Sequence, residues 1–201
     1  MHIIFDMKKY FLLTLAFIVT SAFANNLYAH PHIFMSQQIA AQSDKNGLAA
    51  LNVIWTFDRY FSQQIIMDFD ANHDNKFDTK ETANVKKNIF DNLKQYHYFA
   101  DIKIDGTPFE VKFVKDFSCA IKGDRVIFTF TIPCHVRATA HNKNIDIFFM
   151  DPTYYTSILF ADSVPLTTPK NDAFIWHSSV DENLTMYYFQ KARIEFKRKP
   201  K

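Results

Sequence analysis

The chain has 201 residues, nearly half of them hydrophobic, with 22 Phe and only 3 Gly. That length suits one domain with an aromatic-rich core and is too short for a two-lobed, hinge-closing binding protein. A net charge of +2 argues against a nucleic-acid footprint.

The N-terminus reads as an address. Lys8 and Lys9 precede an apolar run over residues 10–20, and small residues follow. Ala22-Phe23-Ala24 is an A-x-A cleavage site, so residues 1–24 are expected to be a signal peptide. Cleavage after Ala29 is the second option and would leave His30 as the new N-terminus. The run is too short to be a structural membrane helix, and no other segment is long and apolar enough to span. The mature chain is therefore expected in the periplasm, with no integral membrane span.

His30-Pro31-His32 opens the mature domain. In an extended chain residues i and i+2 face the same side, so two imidazoles would address one space. Such a pair suits a transition metal. Two ligands do not make a site, and the competing reading is two ordinary surface histidines. Asp58 and Asp151 are the weaker candidates to add a carboxylate.

Residues 33–41 read as a first strand, and Asp44-Lys45-Asn46-Gly47 as a hairpin turn. The return strand places Leu51, Val53, Trp55 and Phe57 on one face. The most specific stretch follows. Residues 70–81 read DANHDNKFDTKE. Asp70, Asn72, Asp74, Asp78 and Glu81 fall at loop positions 1, 3, 5, 9 and 12, and Lys76 would add its backbone carbonyl from position 7. This is the ligand spacing of an EF-hand calcium loop. Asn75 stands where Gly is usual; Asn tolerates the left-handed turn needed there. Phe61, Ile65 and Phe69 before the loop, and Val85, Ile89 and Leu93 after it, recur at helical spacing. Asp58 is expected to cap the first helix, and Asp78 with Glu81 to form a capping box. A helix–loop–helix is thus predicted over 59–95. With no second copy, the ion's expected role is structural.

The remainder reads as strand. Ile102 and Ile104 lead into a turn at Asp105-Gly106, with Phe109, Val111 and Phe113 returning. Further strands are expected at 117–121, 125–132, 144–150, 156–160, 173–177 and 184–196. The predicted class is α+β: a mainly antiparallel β-sandwich over 30–201 with the helical pair inserted. Cys119 and Cys134 form either a disulfide or two buried free thiols. Asp151-Pro152-Thr153-Tyr154-Tyr155 is a turn. The other histidines are scattered. No HExxH, GxSxG or P-loop is present, so no catalytic residues are assigned.

In order, Ala29-His30-Pro31-His32-Ile33-Phe34, Trp55-Thr56-Phe57-Asp58, the loop at 70–81 and Asp151-Pro152-Thr153-Tyr154-Tyr155 resemble a family of bacterial periplasmic proteins labelled a domain of unknown function. Its members are similar to the ZevA-type component of zinc uptake and are often encoded beside nickel/cobalt-type permeases. The resemblance covers essentially the whole mature chain. It implies a non-enzymatic accessory that captures zinc, or nickel or cobalt, through His30 and His32 and delivers it to an inner-membrane permease. Calcium would be a structural ion. Two other functions compete. One is a copper oxidative enzyme using an N-terminal His30; the other is a calcium-stabilised envelope interaction module.

Overall fold

Leu51, Val53, Trp55 and Phe57 are all buried, while Asn52, Ile54 and Thr56 between them are half-buried. Alternation of this kind, one face inward and one outward, builds both sheets. A computed structural model of the protein describes residues 31–170, 173–181 and 190–200, which belong to one compact unit, Pro31–Lys201. The predicted signal peptide and His30 lie outside the described residues.

The first sheet contains β1 (Ile33–Ser43), β2 (Gly47–Phe57), β5 (Lys115–Lys122), β6 (Arg125–Arg137), β8 (Thr156–Phe160) and the two-residue β9 (Leu166–Thr167). Its order is β5-β6-β2-β1-β8, with β9 also on β1. The second sheet contains β3 (Ala100–Ile104), β4 (Thr107–Phe109), β7 (Lys143–Phe149), β10 (Phe174–Asp181) and β11 (Lys191–Arg198). Its order is β10-β11-β7-β3-β4. Pairing is antiparallel except that β8 and β9 both run parallel to β1. The protein is thus α+β with mainly antiparallel sheets. Alternation alone did not reveal the parallel edge, because a strand's period is the same in either direction.

Between β2 and β3 lie α1 (Arg59–Phe69), α2 (Thr79–Asn88) and a 3₁₀ stretch at Phe90–Phe99. Asp58 caps α1, its Oδ1 accepting the Phe61 N–H at 2.9 Å. The capping box of Asp78 and Glu81 forms at the start of α2. The helical unit does not continue as one helix to residue 95, as its spacing predicts. It breaks at Ile89 (φ −115°, ψ −64°), which lets Phe90 turn fully into the core. Farther on, His97, Tyr98 and Phe99 all take positive φ, near 51–59°, before the chain enters β3. Inside α1, the buried Ser62 hydroxyl accepts the Val126 N–H at 2.9 Å and donates to the Phe57 carbonyl at 3.4 Å.

Several strands differ from expectation; β10, for one, runs to Asp181 and not only to residue 177. β4 stops at Phe109: Val111 is buried but outside the ladder, and Phe113 is exposed. β6 continues past Ile132, through Pro133, to Arg137. Proline is tolerated there because the β2–β6 register shifts between Leu48 and Ala50, opposite Pro133. The last strand begins at Lys191, and residues 182–189 lie outside the described residues.

The two sheets share one core. Trp55 of β2 lies 4.7 Å from Phe130, 6.5 Å from Phe90, 6.3 Å from Phe99 and 6.0 Å from Phe149, ring centre to ring centre. Phe90 also lies 4.2 Å from Phe117 and 5.1 Å from Phe130. Phe90→Ala should therefore destabilise the protein by about 3–5 kcal/mol, read as a lower urea midpoint with an unchanged slope. An exposed control, Phe113→Ala, should leave the midpoint nearly unmoved.

Candidate metal centre

The loop between the helices is organised by its own carboxylates. Asp70 ends α1 and is almost fully buried. Its Oδ1 accepts the Asp74 N–H at 3.2 Å, and its Oδ2 accepts the Asn75 N–H at 2.9 Å. Asn72 Oδ1 accepts the Asp74 N–H, and Asp74 Oδ1 accepts the Lys76 N–H, each at 2.9 Å. Asp78 Oδ1 accepts the Lys80 and Glu81 N–H groups at 2.7 and 2.8 Å. Glu81 is buried and closes the ring: Oε1 accepts the Ala71 N–H and Oε2 the Asp78 N–H, both at 2.9 Å. One side chain thereby staples the loop's beginning to its end. The backbone turns left-handed at His73 (φ 58°) and Asn75 (φ 60°), so Asn75 does take the conformation that glycine usually supplies at that position.

These bonds orient the oxygens and do not exhaust them. A carboxylate offers about four lone-pair sites, so each oxygen that accepts one N–H keeps capacity for a cation. Hard oxygens at alternate positions suit a hard ion such as Ca²⁺. Among the described residues, no three His, Cys, Asp or Glu side chains converge into a ready-made metal cluster. Asn72 and a position-7 carbonyl would therefore matter as much as the acids.

His32 sits at the opposite end of α1 from this loop. It is exposed, its N–H donates to the Tyr155 carbonyl at 2.8 Å, and its ring lies 4.9 Å from that of Tyr155. Phe34, two residues on, is bonded twice to Asp58: its N–H donates to the side-chain Oδ2 at 2.8 Å, and its carbonyl accepts the Asp58 N–H at 2.7 Å. Both oxygens of Asp58 thus accept backbone N–H groups. Asp151 is buried and similarly engaged: Oδ1 accepts from the Thr153 N–H and hydroxyl, and Oδ2 from the Thr156 N–H. Its role as a turn former is direct, and it delivers Tyr155 to His32.

Cys119 and Cys134 are free buried thiols, which resolves the alternative left open by their spacing. They lie on neighbouring strands but far apart in register, since Cys119 faces Phe128. Cys119 donates to the Thr82 hydroxyl of α2 at 3.6 Å, and Cys134 to the Ile132 carbonyl at 3.5 Å. Burial pushes the Cys119 thiol up to about 11 and the Cys134 thiol up to about 12. Sequence spacing gave no sign of the Cys119–Thr82 contact, which joins residues on different elements. His97, in the 3₁₀ stretch, and His135, within β6, both take positive φ (51° and 53°). His97 also faces Glu110 at 3.9 Å.

Two sheets on one aromatic core, with an acidic loop stapled between two helices, define a β-rich protein with a candidate cation loop. The chain belongs to the family described as Protein of unknown function (DUF1007), whose pattern spans residues 14–188. It is also similar to an uncharacterized 15.5 kDa protein in the trpE 3′ region of Spirochaeta aurantia. The two are 35% identical over 108 residues, which is 54% of this chain and 76% of that one. No solved structure matches the chain.

The thiols carry a pH prediction. Each binds its proton more tightly folded than unfolded, so its stabilising contribution is complete below its ordinary value of 9.0 and is lost as pH rises towards 11–12. Folded protein at pH 8 should resist an aromatic disulfide reagent at both thiols, and urea should expose both. Replacing both by Ser should flatten the alkaline loss of stability above pH 9.

Proposed function

We propose that this chain is an exported, non-enzymatic metal-binding accessory protein with two kinds of ion. Calcium occupies the EF-hand-like loop at 70–81, inserted in a β-sandwich, and acts as a brace. Zinc, with nickel or cobalt as the other candidates, is the cargo, captured by His30 and His32 in the periplasm and handed to an inner-membrane permease.

The observation that carries the calcium reading is the loop's closure. Five oxygen side chains at the required positions are each set by backbone N–H groups, Asn75 adopts the left-handed turn, and the closing glutamate is buried. Asp70, Asn72, Asp74, Asp78, Glu81 and the Lys76 carbonyl would hold the ion. The type and spacing of these oxygen donors are what supports that reading. Repulsion among the acids would fall on binding, and α1 and α2 would be locked together.

The cargo reading is supported by the exposure of the His32 ring and by the family resemblance. Exposed nitrogen ligands with an incomplete shell favour ligand exchange, which delivery requires. Among the described residues no helix is long and apolar enough to cross a membrane. A second reading, a calcium-braced interaction module, is favoured by exposed Phe34, Tyr60, Met67, Tyr154 and Tyr155.

Two measurements separate the ions. Calcium at about 100 times its Kd should stabilise the protein by about 2.7 kcal/mol, seen as a rise in Tm over chelator. Glu81→Gln should abolish that rise; an equal rise in the variant removes the loop from the reading. Isothermal titration of zinc into the mature chain should show binding that a His30→Ala, His32→Ala double variant loses. Equal zinc affinity would overturn the cargo role and leave calcium untouched.

A further inference from the structure

The outward face of the second sheet carries ions in register. Opposed residues form two rows across β3, β7 and β11: Asp101, Phe148 and Lys191 in one, Lys103, Asp146 and Arg193 in the other. Residues directly opposite each other share a face. Alternation along each strand turns both rows away from the core, which takes Ile102, Ile147 and Ala192 instead. Between the rows lies a cavity of about 220 Å³, lined by Asp101, Lys103, Asp146, Phe148 and Lys191. Phe148 is the apolar member of the rows and is half-buried.

The charged groups around that ring are not equivalent. Asp146 is fully engaged: Arg193 Nε lies 2.7 Å and Lys191 Nζ 3.2 Å from its Oδ1, and Arg193 Nη2 lies 3.2 Å from its Oδ2. Asp101 and Lys103 are exposed, and neither side chain forms an ion pair among the described residues. As residues i and i+2 of one strand they stand about 7 Å apart on the same face. The cavity is thus flanked by one uncommitted carboxylate and one uncommitted ammonium, beside an aromatic ring.

We propose that this cavity binds a free α-amino acid with an apolar side chain. Asp101 accepts from the ligand's ammonium, Lys103 donates to its carboxylate, and the side chain lies on Phe148. Three features select that class. The cavity is smaller than the ~300–1,000 Å³ of a drug-sized ligand's site, so the occupant is a small molecule. The two uncommitted groups have opposite sign. A pure anion would be repelled by Asp101 and a pure cation by Lys103, whereas a ligand with both signs pairs both. Phe148, finally, offers apolar surface to an apolar body. Covering ions is costly unless they are paired again, and the ligand brings the charges that do so. Ion pairs open to solvent are weak, so the Kd is on the order of 1 mM. The proposal uses none of the residues assigned to either metal ion.

The test is a titration of the full mature chain followed by amide NMR. L-Leucine, added well past that Kd, should shift the signals of Asp101, Lys103 and Phe148 saturably. N-Acetyl-L-leucine has lost the ammonium and L-leucinamide the carboxylate; each should bind at least about threefold more weakly. Asp101→Asn should weaken L-leucine by a similar factor without weakening N-acetyl-L-leucine further. Lys103→Gln should do the same with L-leucinamide as the insensitive probe, because each variant deletes a contact that its probe no longer makes. Both side chains are exposed, so the variants should keep the wild-type signals elsewhere in the spectrum. L-Leucine that shifts none of these signals overturns the proposal. So does L-leucine that binds wild type and both variants alike, or an N-acetyl form that binds as tightly as the free amino acid.

Discussion

The fold depends on one aromatic junction. Trp55 in the centre of the first sheet touches Phe130 beside it, Phe149 across in the second sheet, and Phe90 and Phe99 of the helical insertion. Rings of this size bury 150–250 Å² each, so a few residues at one point supply much of the apolar burial that sets the sheets together. Their edge-to-face geometries are directional as well as apolar. The insertion is therefore part of the core: Phe90, released from helix by the break at Ile89, fills the space between the sheets. At the same centre Gln37 and Trp55 oppose each other in register. Gln37 Oε1 and Trp55 Nε1 are buried without partners among the described residues. Orphaned buried polar atoms cost on the order of 1–3 kcal/mol each, a burden that the surrounding rings offset.

α1 transmits that fixed core to both candidate sites. Ser62 ties it to β6 and β2 from within. At its C-terminal end Asp70 becomes the first residue of the acidic loop; at its N-terminal end Asp58 clamps the start of β1 through Phe34. His32 lies two residues from that clamp. Eleven residues at 1.5 Å each put the two ends about 16 Å apart. An ion that stiffens the loop would stiffen the helix, and through Asp58 the pedestal on which His32 stands. Asp58 is thus more informative as a joint than as a ligand.

What could be read beforehand was local. The two helix caps, the Asp44–Gly47 turn and the strand at 125–132 depend on residues within a few positions of each other, and each formed as its chemistry dictates. The Asn75 turn is legible for the same reason. What stayed hidden was non-local. Nothing near residues 156–160 shows that this strand lies parallel to β1, because the choice is made by Asp151 and Tyr155 docking at His32. The break at Ile89 is set by the cavity awaiting Phe90, not by the helical propensity of its neighbours. The continuation of β6 through Pro133 needs the irregularity in β2 opposite it.

The two outward faces differ in a way that bears on contact with other molecules. On the second sheet the outer rows carry Asp101, Lys103, Asp146, Lys191, Arg193 and Glu195. Arg193 and Lys191 both bind Asp146, holding its carboxyl below the ordinary range. Pairs this exposed add little stability. Their physical effect is hydration, which keeps that face from adhering to others. In the middle of the first sheet the corresponding rows read Ser36, Gln38 and Ala40; Asn52, Ile54 and Thr56; Ile127, Thr129 and Thr131, with charge only at the two ends of the β6 row, Arg125 and Arg137. On β10, at the second sheet's edge, the outward row reads Ile175, His177 and Ser179 and ends in the charged Asp181. Desolvating neutral residues costs far less than desolvating ions. The two sheets therefore differ in what it costs to cover them: the second sheet's outward face is laced with ion pairs, whereas the middle of the first sheet's is neutral.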